Sequence, residues 1–428
     1  MAPVQSRLLV AVVAAAAVAA MAVAMAALKK KRRRRRRYWT RPWILRRASK
    51  GAYAMLNEEL RLEDPASYKN YLRMDEEIFA DLVDRVTPYV YRSDTNMRQA
   101  ITPAERLAVT LRFLATGETF QSLEFSTRIS ACTIGRIVPE MCDALYTVLK
   151  GDFIKMPANA QEWLQVSRDF EYRWNLSHCL GAIDGKHVTF RPPLKCGSYF
   201  FNYKNTHSLI LFALVDADYK FLMIDAGTNG RVGDGGVFAK SDLNKAIVDG
   251  SIDFPDAEPL KYCTAPIPYF LVGDDAFPLH TYMMKPYPFR NLDIDHRIFN
   301  YRLSRARRVV ENAFGILANR FRVLLAPMLL SPDKVERVIL ATCALHNYLR
   351  TRSPARYFPP SSMDREDTSR GQVTDGDWRE VRKSEVAYER ISSQAGNRST
   401  NAAQAQRDYL CSYVNNIGRV SWQGKFAA

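Results

Sequence analysis

Cysteine is scarce in this chain of 428 residues: there are seven, at 132, 142, 179, 196, 263, 343 and 411, and none stands in a C-x-x-C pair. An odd, scattered set excludes a zinc ribbon and a disulfide scaffold. It suits a reducing compartment, where such thiols pack as small apolar side chains. Acidic residues are absent before position 58, and no internal repeat is visible. What is present is ordinary for a folded protein. Apolar residues make up 47% of the chain, which excludes wholesale disorder, and the length suggests two or three domains with at least one sizeable core.

The net charge of +16 invites a reading as a nucleic-acid-coating cation. Its distribution argues otherwise. Residues 1–57 hold 14 Lys and Arg and no acid, which leaves 47 basic against 45 acidic residues in the rest of the chain. The excess belongs to the leader, and the body is nearly neutral.

Within that leader, Leu8 to Leu28 is an uncharged run of 21 residues, about half of it Ala, followed by nine consecutive bases from Lys29 to Arg37. The run is long enough to span a bilayer, with its basic flank then kept cytosolic. The alternative is an Ala-rich leader of low complexity. The massed charge after the apolar stretch argues against a cleaved secretory signal. The bases themselves fit a nuclear localisation signal or a phosphate-binding arm. Tyr38, Trp39 and Trp43 alternate with Arg41, Arg46 and Arg47, a combination of stacking and charge that docks either on nucleic acid or on the chain's own body. Residues 1–50 are therefore read as leader and basic tail. After about residue 352 the chain turns polar and irregular, and most of 353–428 is expected to lack structure, with a short partner-binding piece near Tyr409 to Trp422.

Residues 51–158 read as helical. Thr102, Pro103 and Glu105 form a capping-box start, Leu107, Leu111 and Leu114 an apolar stripe, and Gly117 a stop. Helices over Phe120 to Thr127 and from Ser130 onward complete a helix-turn-helix-like arrangement with Thr133 and Arg136 on the outer face. An ordinary helical bundle packed on the next domain fits the same spacing.

Residues 159–352 change to strands. Cys179 to Asp184, His207 to Val215 and Lys220 to Ala226 are apolar runs, the last two joined by the turn Asp216 to Asp218 as a hairpin. A helix is expected over Gly236 to Val248, and a buried strand over Tyr269 to Val272 ends in Gly273-Asp274-Asp275. A long helix follows from about His296 to Arg322, with Phe299, Leu303, Ala306, Val310, Phe314, Leu317 and Phe321 as its core stripe. Asp184 and Asp274 thus end two strands, and Glu311 lies on the helix. Three hard carboxylates brought to one sheet edge suit Mg²⁺ or Mn²⁺ and two-metal phosphodiester hydrolysis. Each acid also has a plainer role open to it: Asp184 before Gly185 as a turn former, Asp274 and Asp275 as a solvated pair, Glu311 as the partner of Arg307 or Arg308.

The stretches GAIDGKH (181–187), FNYKNTHSLILFALVDADYKF (201–221), GDGGVF (233–238), GDDAFPL (273–279), RIFNYRLSRARRVVENAFGILANRFRVL (297–324) and ALHNYL (344–349) resemble the PIF/Harbinger superfamily transposases, and more closely their domesticated, transposase-derived nucleases. NMRQAITPAERLAVTLRFLATGETFQSLEF (96–125) is similar to the front helical region of that family, so the resemblance covers roughly residues 38–350. It implies an α/β fold: a ribonuclease-H-like mixed sheet with flanking helices, preceded by the helix-turn-helix-like domain. It also implies a DDE endonuclease with Asp184, Asp274 and Glu311 as catalytic and metal-binding acids, a Mg²⁺ or Mn²⁺ cofactor, DNA as substrate and a nuclear location. A Myb-like DNA-binding partner and homo-oligomers come with the same resemblance. Asp234 in GDGGVF is an auxiliary ligand candidate, and Asp275 stands where the family often has Ser. Arg302, Arg305, Arg307, Arg308, Arg320 and Arg322 crowd the Glu311 helix, where they meet phosphates or balance nearby acids. Lys186 and His187 are left outside the site. The rival from another class is a catalytically silent, DNA-binding or chromatin-associated factor. Membrane association through residues 8–28 is a third.

Overall fold

A computed structural model of the chain describes residues 13–23, 25, 40–96, 98–191, 198–202, 206–230, 232–288, 290, 292–357, 363–382, 388–390 and 399–426. The basic run 29–37 lies outside them. Residues 13–23 form an exposed helix, and among the described residues no helix is long and apolar enough to cross a membrane.

The front of the body is helical: α1 (Pro65–Leu72), α2 (Glu76–Val90), α3 (Pro103–Thr116), α4 (Phe120–Thr127), α5 (Ala131–Phe153) and α6 (Ala160–Trp174). Helix α3 starts where its sequence says it must. The Thr102 hydroxyl accepts from the Glu105 N–H at 3.2 Å, and the Glu105 carboxylate accepts from the Thr102 N–H at 2.9 Å. Gly117 ends it in the left-handed conformation at φ 70°. The expected helices over 120–127 and from Ser130 are present, with Arg136 exposed and Thr133 half-buried, its hydroxyl against that of Ser130 at 2.7 Å. The leader's described end docks on this helical part of the same chain. Arg47 pairs with Glu105 at 3.0 Å, and Trp43 stacks on Phe125 at 6.1 Å.

The sheet contains β1 (Cys179–Thr189), β2 (Ser208–Val215), β3 (Phe221–Asn229), β4 (Phe270–Val272) and β5 (Met283–Met284) in the order β3-β2-β1-β4-β5. β1–β2 and β2–β3 pair antiparallel, whereas β1–β4 and β4–β5 pair parallel, so the sheet is mixed. The hairpin turn is as expected: Asp216 Oδ1 accepts the N–H groups of Asp218 and Lys220, each at 2.8 Å. The expected helix over 236–248 is two, α7 (Asp234–Lys240) and α8 (Asp242–Val248). Ser241 breaks it, because its hydroxyl donates to the Phe238 carbonyl and accepts the Asn244 N–H as the cap of the second helix.

β1 is buried along all eleven residues, as a strand covered on both faces must be. Ala182, Val188, Leu211, Ala213 and Val272 pack on one face with Phe314 and Leu317 of α9 (Ile294–Arg320) and Val338 of α10 (Pro332–Arg352). Leu180, Ile183, Ile210, Phe212 and Leu271 pack on the other with Val237, Phe238 and Trp163. The first of these clusters runs unbroken from the front helices through the sheet.

The C-terminal stretch departs from expectation. Residues 363–426 hold α11 (Asp377–Arg382), a strand β6 (Tyr388–Arg390) paired antiparallel with β1, and α12 (Asn401–Asn415) packed on α9. Its polar composition hides a sparse apolar set: Trp378, Ala403, Leu410, Cys411 and Val414 are buried. The piece near Tyr409 to Trp422 finds its partner within the chain.

Near the end of α10, Asn347 ties the layers together. It is fully buried, its side-chain oxygen accepts the Phe221 N–H at 2.9 Å, and its amide donates to the Phe221 and Phe153 carbonyls at 2.8 and 2.7 Å. Asn347→Leu strands these three backbone groups and should lower stability by about 3 kcal/mol or more, read as a lower urea midpoint. A midpoint unchanged from wild type would show that the amide adds nothing.

Candidate active site

Sheet register brings two acids together. In the parallel β1–β4 pair, Ala182 stands opposite Val272. Asp274 lies two residues past Val272, beyond the end of β4 and close enough for the Asp184 charge to act on it, and Asp184 lies two residues past Ala182 on the same face of β1. That face is the one on which α9 packs. The Asp184 carboxylate is 3% exposed and lies within strand β1, which rules out a turn-forming role; Asp274 is half-buried just past the end of β4. Its neighbour Asp275 is exposed. Asp274 is therefore the acid of the pair that meets Asp184.

Glu311 comes from α9 and is 4% exposed. Asp293 caps that helix by accepting the His296 N–H at 2.8 Å, so it begins at Ile294 and not near His296. Its core stripe against the sheet is the expected one, and it places Glu311 where it shares Arg307 with Asp184 and Asp274. Asp234 opens α7, and Gly235 beside it approaches the Asp274 loop so closely that a Cβ would sit 2.8 Å from the Ala276 carbonyl oxygen. Only glycine allows this approach.

Two cations hold the acids. Lys186, 1% exposed and two residues along the same face of β1, places its ammonium 2.8 Å from Asp184 Oδ2 and 5.6 Å from the centre of the Phe314 ring. Arg307, one turn before Glu311, pairs with its Oε1 at 2.5 Å. Burial works against the charged Arg307 guanidinium, but Glu311, Asp184 and Asp274 outweigh it and hold it above its ordinary value. All three acids thus act on one arginine. Asp274 is pushed up to about 6, first by burial and then by the Asp184 charge, against Arg307 and the Ala276 N–H, which favour its carboxylate.

Lys186 is the residue that sequence reasoning missed. Its signal was its position two residues after an acid on a strand, which puts both on one face. Of the other arginines, Arg305 and Arg308 balance an acid, as one of the two readings expected, although that acid lies in the C-terminal segment and not on the sheet. Arg302 is buried and bonds Gln423 at 2.7 Å, Arg305 and Arg308 pair with Glu366 at 2.5 and 2.9 Å, and Arg320 donates to the Arg73 carbonyl at 2.6 Å. Arg322 is exposed. His187 points to the opposite face, where its ring meets the Ser208 hydroxyl at 3.0 Å.

Three carboxylates are the hard oxygen donors that divalent ions such as Mg²⁺ and Mn²⁺ take, and burial together with the Asp184 charge makes the Asp274 carboxylate one that a bound cation would stabilise. The donor set therefore fits such an ion. Among the described residues, no three His, Cys, Asp or Glu side chains are already drawn together as an ion cage. Lys186 and Arg307 stand in contact with two of the acids instead.

Residues 183–347, which contain all three acids, match the family described as DDE superfamily endonuclease. Over 249 residues the chain is 27% identical to the "Protein ALP1-like" of Arabidopsis thaliana, covering 57% of this chain and 60% of that protein. It is 25% identical over 256 residues to the proteins named "Putative nuclease HARBI1" of Rattus norvegicus and Homo sapiens, covering 59% of this chain and 69% of each of those. Residues 183–347 thus resemble a DDE superfamily endonuclease domain, and the matched relatives agree with the resemblance to Harbinger transposase-derived nucleases. No solved structure matches it.

The Asp274 shift has a consequence for stability. The unfolded carboxyl titrates near 3.8 and the folded one near 6, so folding tightens its hold on the proton. The resulting penalty is absent below about pH 4 and is complete once pH has risen past 6. Asp274→Asn removes it. In EDTA at pH 7 this variant should be more stable than wild type by about 2 kcal/mol, a gain that disappears at pH 4. Thermal melts at the two pH values check this; a loss of stability at pH 7 would overturn it.

Proposed function

We propose that this chain is a divalent-metal-dependent DNA endonuclease of the DDE transposase type, with its sheet and α9 forming a ribonuclease-H-like catalytic domain. One observation carries the reading. Asp184 on β1, Asp274 just past the end of the adjacent parallel β4 and Glu311 on α9 all act on Arg307, inside the stretch that matches the endonuclease family. Asp184, Asp274 and Glu311 would hold the metal. Divalent ions bound there supply water activation and stabilisation of the leaving 3′ oxygen. The chain's own contribution is positional. β1 and β4 set the spacing of the aspartates, Lys186 orients the Asp184 carboxylate, and Arg307 orients Glu311 while offsetting the negative charge of the group.

The chain spans 60% of the ALP1-like relative's length, and its DNA target, location and partners belong to the same proposal. The basic run 29–37 serves as a nuclear address, and a Myb-like DNA-binding protein or a second copy would supply target selection that the catalytic face does not. The second reading is a catalytically silent DNA-binding factor, favoured by the fact that Asp184 and Glu311 each already have a cation as partner.

The direct experiment separates the two. Purified wild-type protein should nick or cut duplex DNA with Mg²⁺ or Mn²⁺ and not with EDTA. Asp184→Asn should lower the rate on the order of a hundredfold or more. Equal cleavage by both proteins would sink the site assignment, and DNA binding with no cleavage under either metal would favour the silent factor.

A further inference from the structure

Helix α9 carries a second stripe beside its core stripe. Tyr301, Arg305, Arg308, Asn312 and Gly315 recur at spacings of four and three, so they form one line along the helix next to Glu311. The C-terminal segment covers this line from end to end. Glu366 lies against its first three members: Tyr301 donates its hydroxyl at 3.1 Å, Arg305 its Nε–H at 2.5 Å, and Arg308 pairs at 2.9 Å. Trp378 donates to Asn312 at 2.9 Å and lies so close over Gly315 that a Cβ there would meet its ring at 2.3 Å. Arg379, held by Asp364 through two bonds of 2.9 and 2.6 Å, reaches within 4.0 Å of Glu311.

The same segment also closes the sheet. β2 occupies one edge of β1 through residues 182–189, so β6, which pairs with Lys186 to Val188, must lie on the edge that β4 uses for residues 179–182. β6 therefore takes the place beyond the end of β4, where Asp274 leaves the sheet.

The chemistry of the stripe is that of a phosphate site. Two guanidiniums and a hydroxyl converge on one carboxylate, a fork arrangement that accepts a phosphodiester equally well. A single carboxylate facing two arginines leaves positive charge in excess, which a polyphosphate chain would satisfy better. The segment that covers the stripe lies outside the matched domain, which ends at residue 347.

We propose that the Tyr301–Arg305–Arg308 stripe of α9 is a binding site for the phosphodiester backbone of nucleic acid, and that Glu366 occupies it in the free protein as a phosphate mimic. The segment 363–382 then competes with substrate for the face beside the three acids, and DNA must displace it to reach them. The identity of the ligand rests on the endonuclease reading; the competition does not.

The test is binding in EDTA, so that no cleavage is needed. A short labelled duplex, followed by fluorescence anisotropy, should bind Glu366→Gln about three- to tenfold more tightly than wild type. Arg308→Gln should bind more weakly and reduce the slope of log K against log salt by about one. The double variant should lose the gain. Because Glu366 is mostly buried, hydrogen exchange on the wild-type protein provides a second measurement that does not depend on a variant folding. Amides of 363–382 should exchange faster when duplex is saturating. A folded Glu366→Gln protein that binds no more tightly, or exchange in 363–382 that holds or slows with DNA bound, would overturn the proposal. Tighter binding by Glu366→Gln with no cleavage under either metal would sink the endonuclease reading and keep this site. Metal-dependent cleavage with no gain from Glu366→Gln would do the reverse.

Discussion

Two carboxylates brought together at neighbouring strands and largely out of water repel each other, and the surroundings of Asp184 and Asp274 answer that repulsion. The β1–β4 ladder sets where the chain delivers Asp274, and a slip of one residue in β1 would turn Asp184 to the wrong face. Apolar layers on both faces of β1 hold the register. The strain goes into ionisation, seen in the raised Asp274 carboxyl, and into cation placement, seen in Lys186 and Arg307. Both cations are supplied locally, one from the same strand face and one from the preceding helical turn, so the spacing that groups the acids also groups their partners.

Helix α9 shows how one element can serve two layers. Its apolar stripe seats it on the sheet and sets where Glu311 arrives. Its polar stripe, one step round the helix, meets the C-terminal segment through Glu366 and Trp378. Arg302 and Arg305, which look solvent-directed in a helical projection, are engaged by Gln423 and by Asn175 together with Trp422. These arginines are structural ties in the described state.

The sequence was most legible where periodicity and local chemistry agreed. The capping box at Thr102, the hairpin at Asp216 and the core stripe of α9 depend on residues close in the chain, and each appears in the structure as read. The strand-end acids were visible because apolar runs ended on them. What could not be read were long-range pairings. Lys186 was left outside the site because the apolar run ends at Asp184 and does not reveal that β1 continues to Thr189 with β2 and β6 beside it. Residues 363–426 looked unstructured because their apolar residues are sparse. Their order comes from α9, some 60 residues upstream, through salt links and single aromatic anchors that leave no periodic trace. The break between α7 and α8 was missed because Ser241 caps through its own side chain within a stretch that otherwise reads as helical.

The return of the C-terminal segment also sets an order in time. Chains emerge from the ribosome from the N-terminus, and domains fold as units when enough of them is out. β1, β4 and α9 are complete before residues 363–426 exist. Until then the stripe of Tyr301, Arg305, Arg308 and Asn312 lacks the partners Glu366 and Trp378. Glu366, Trp378 and the strand β6 close that face only after it has been made.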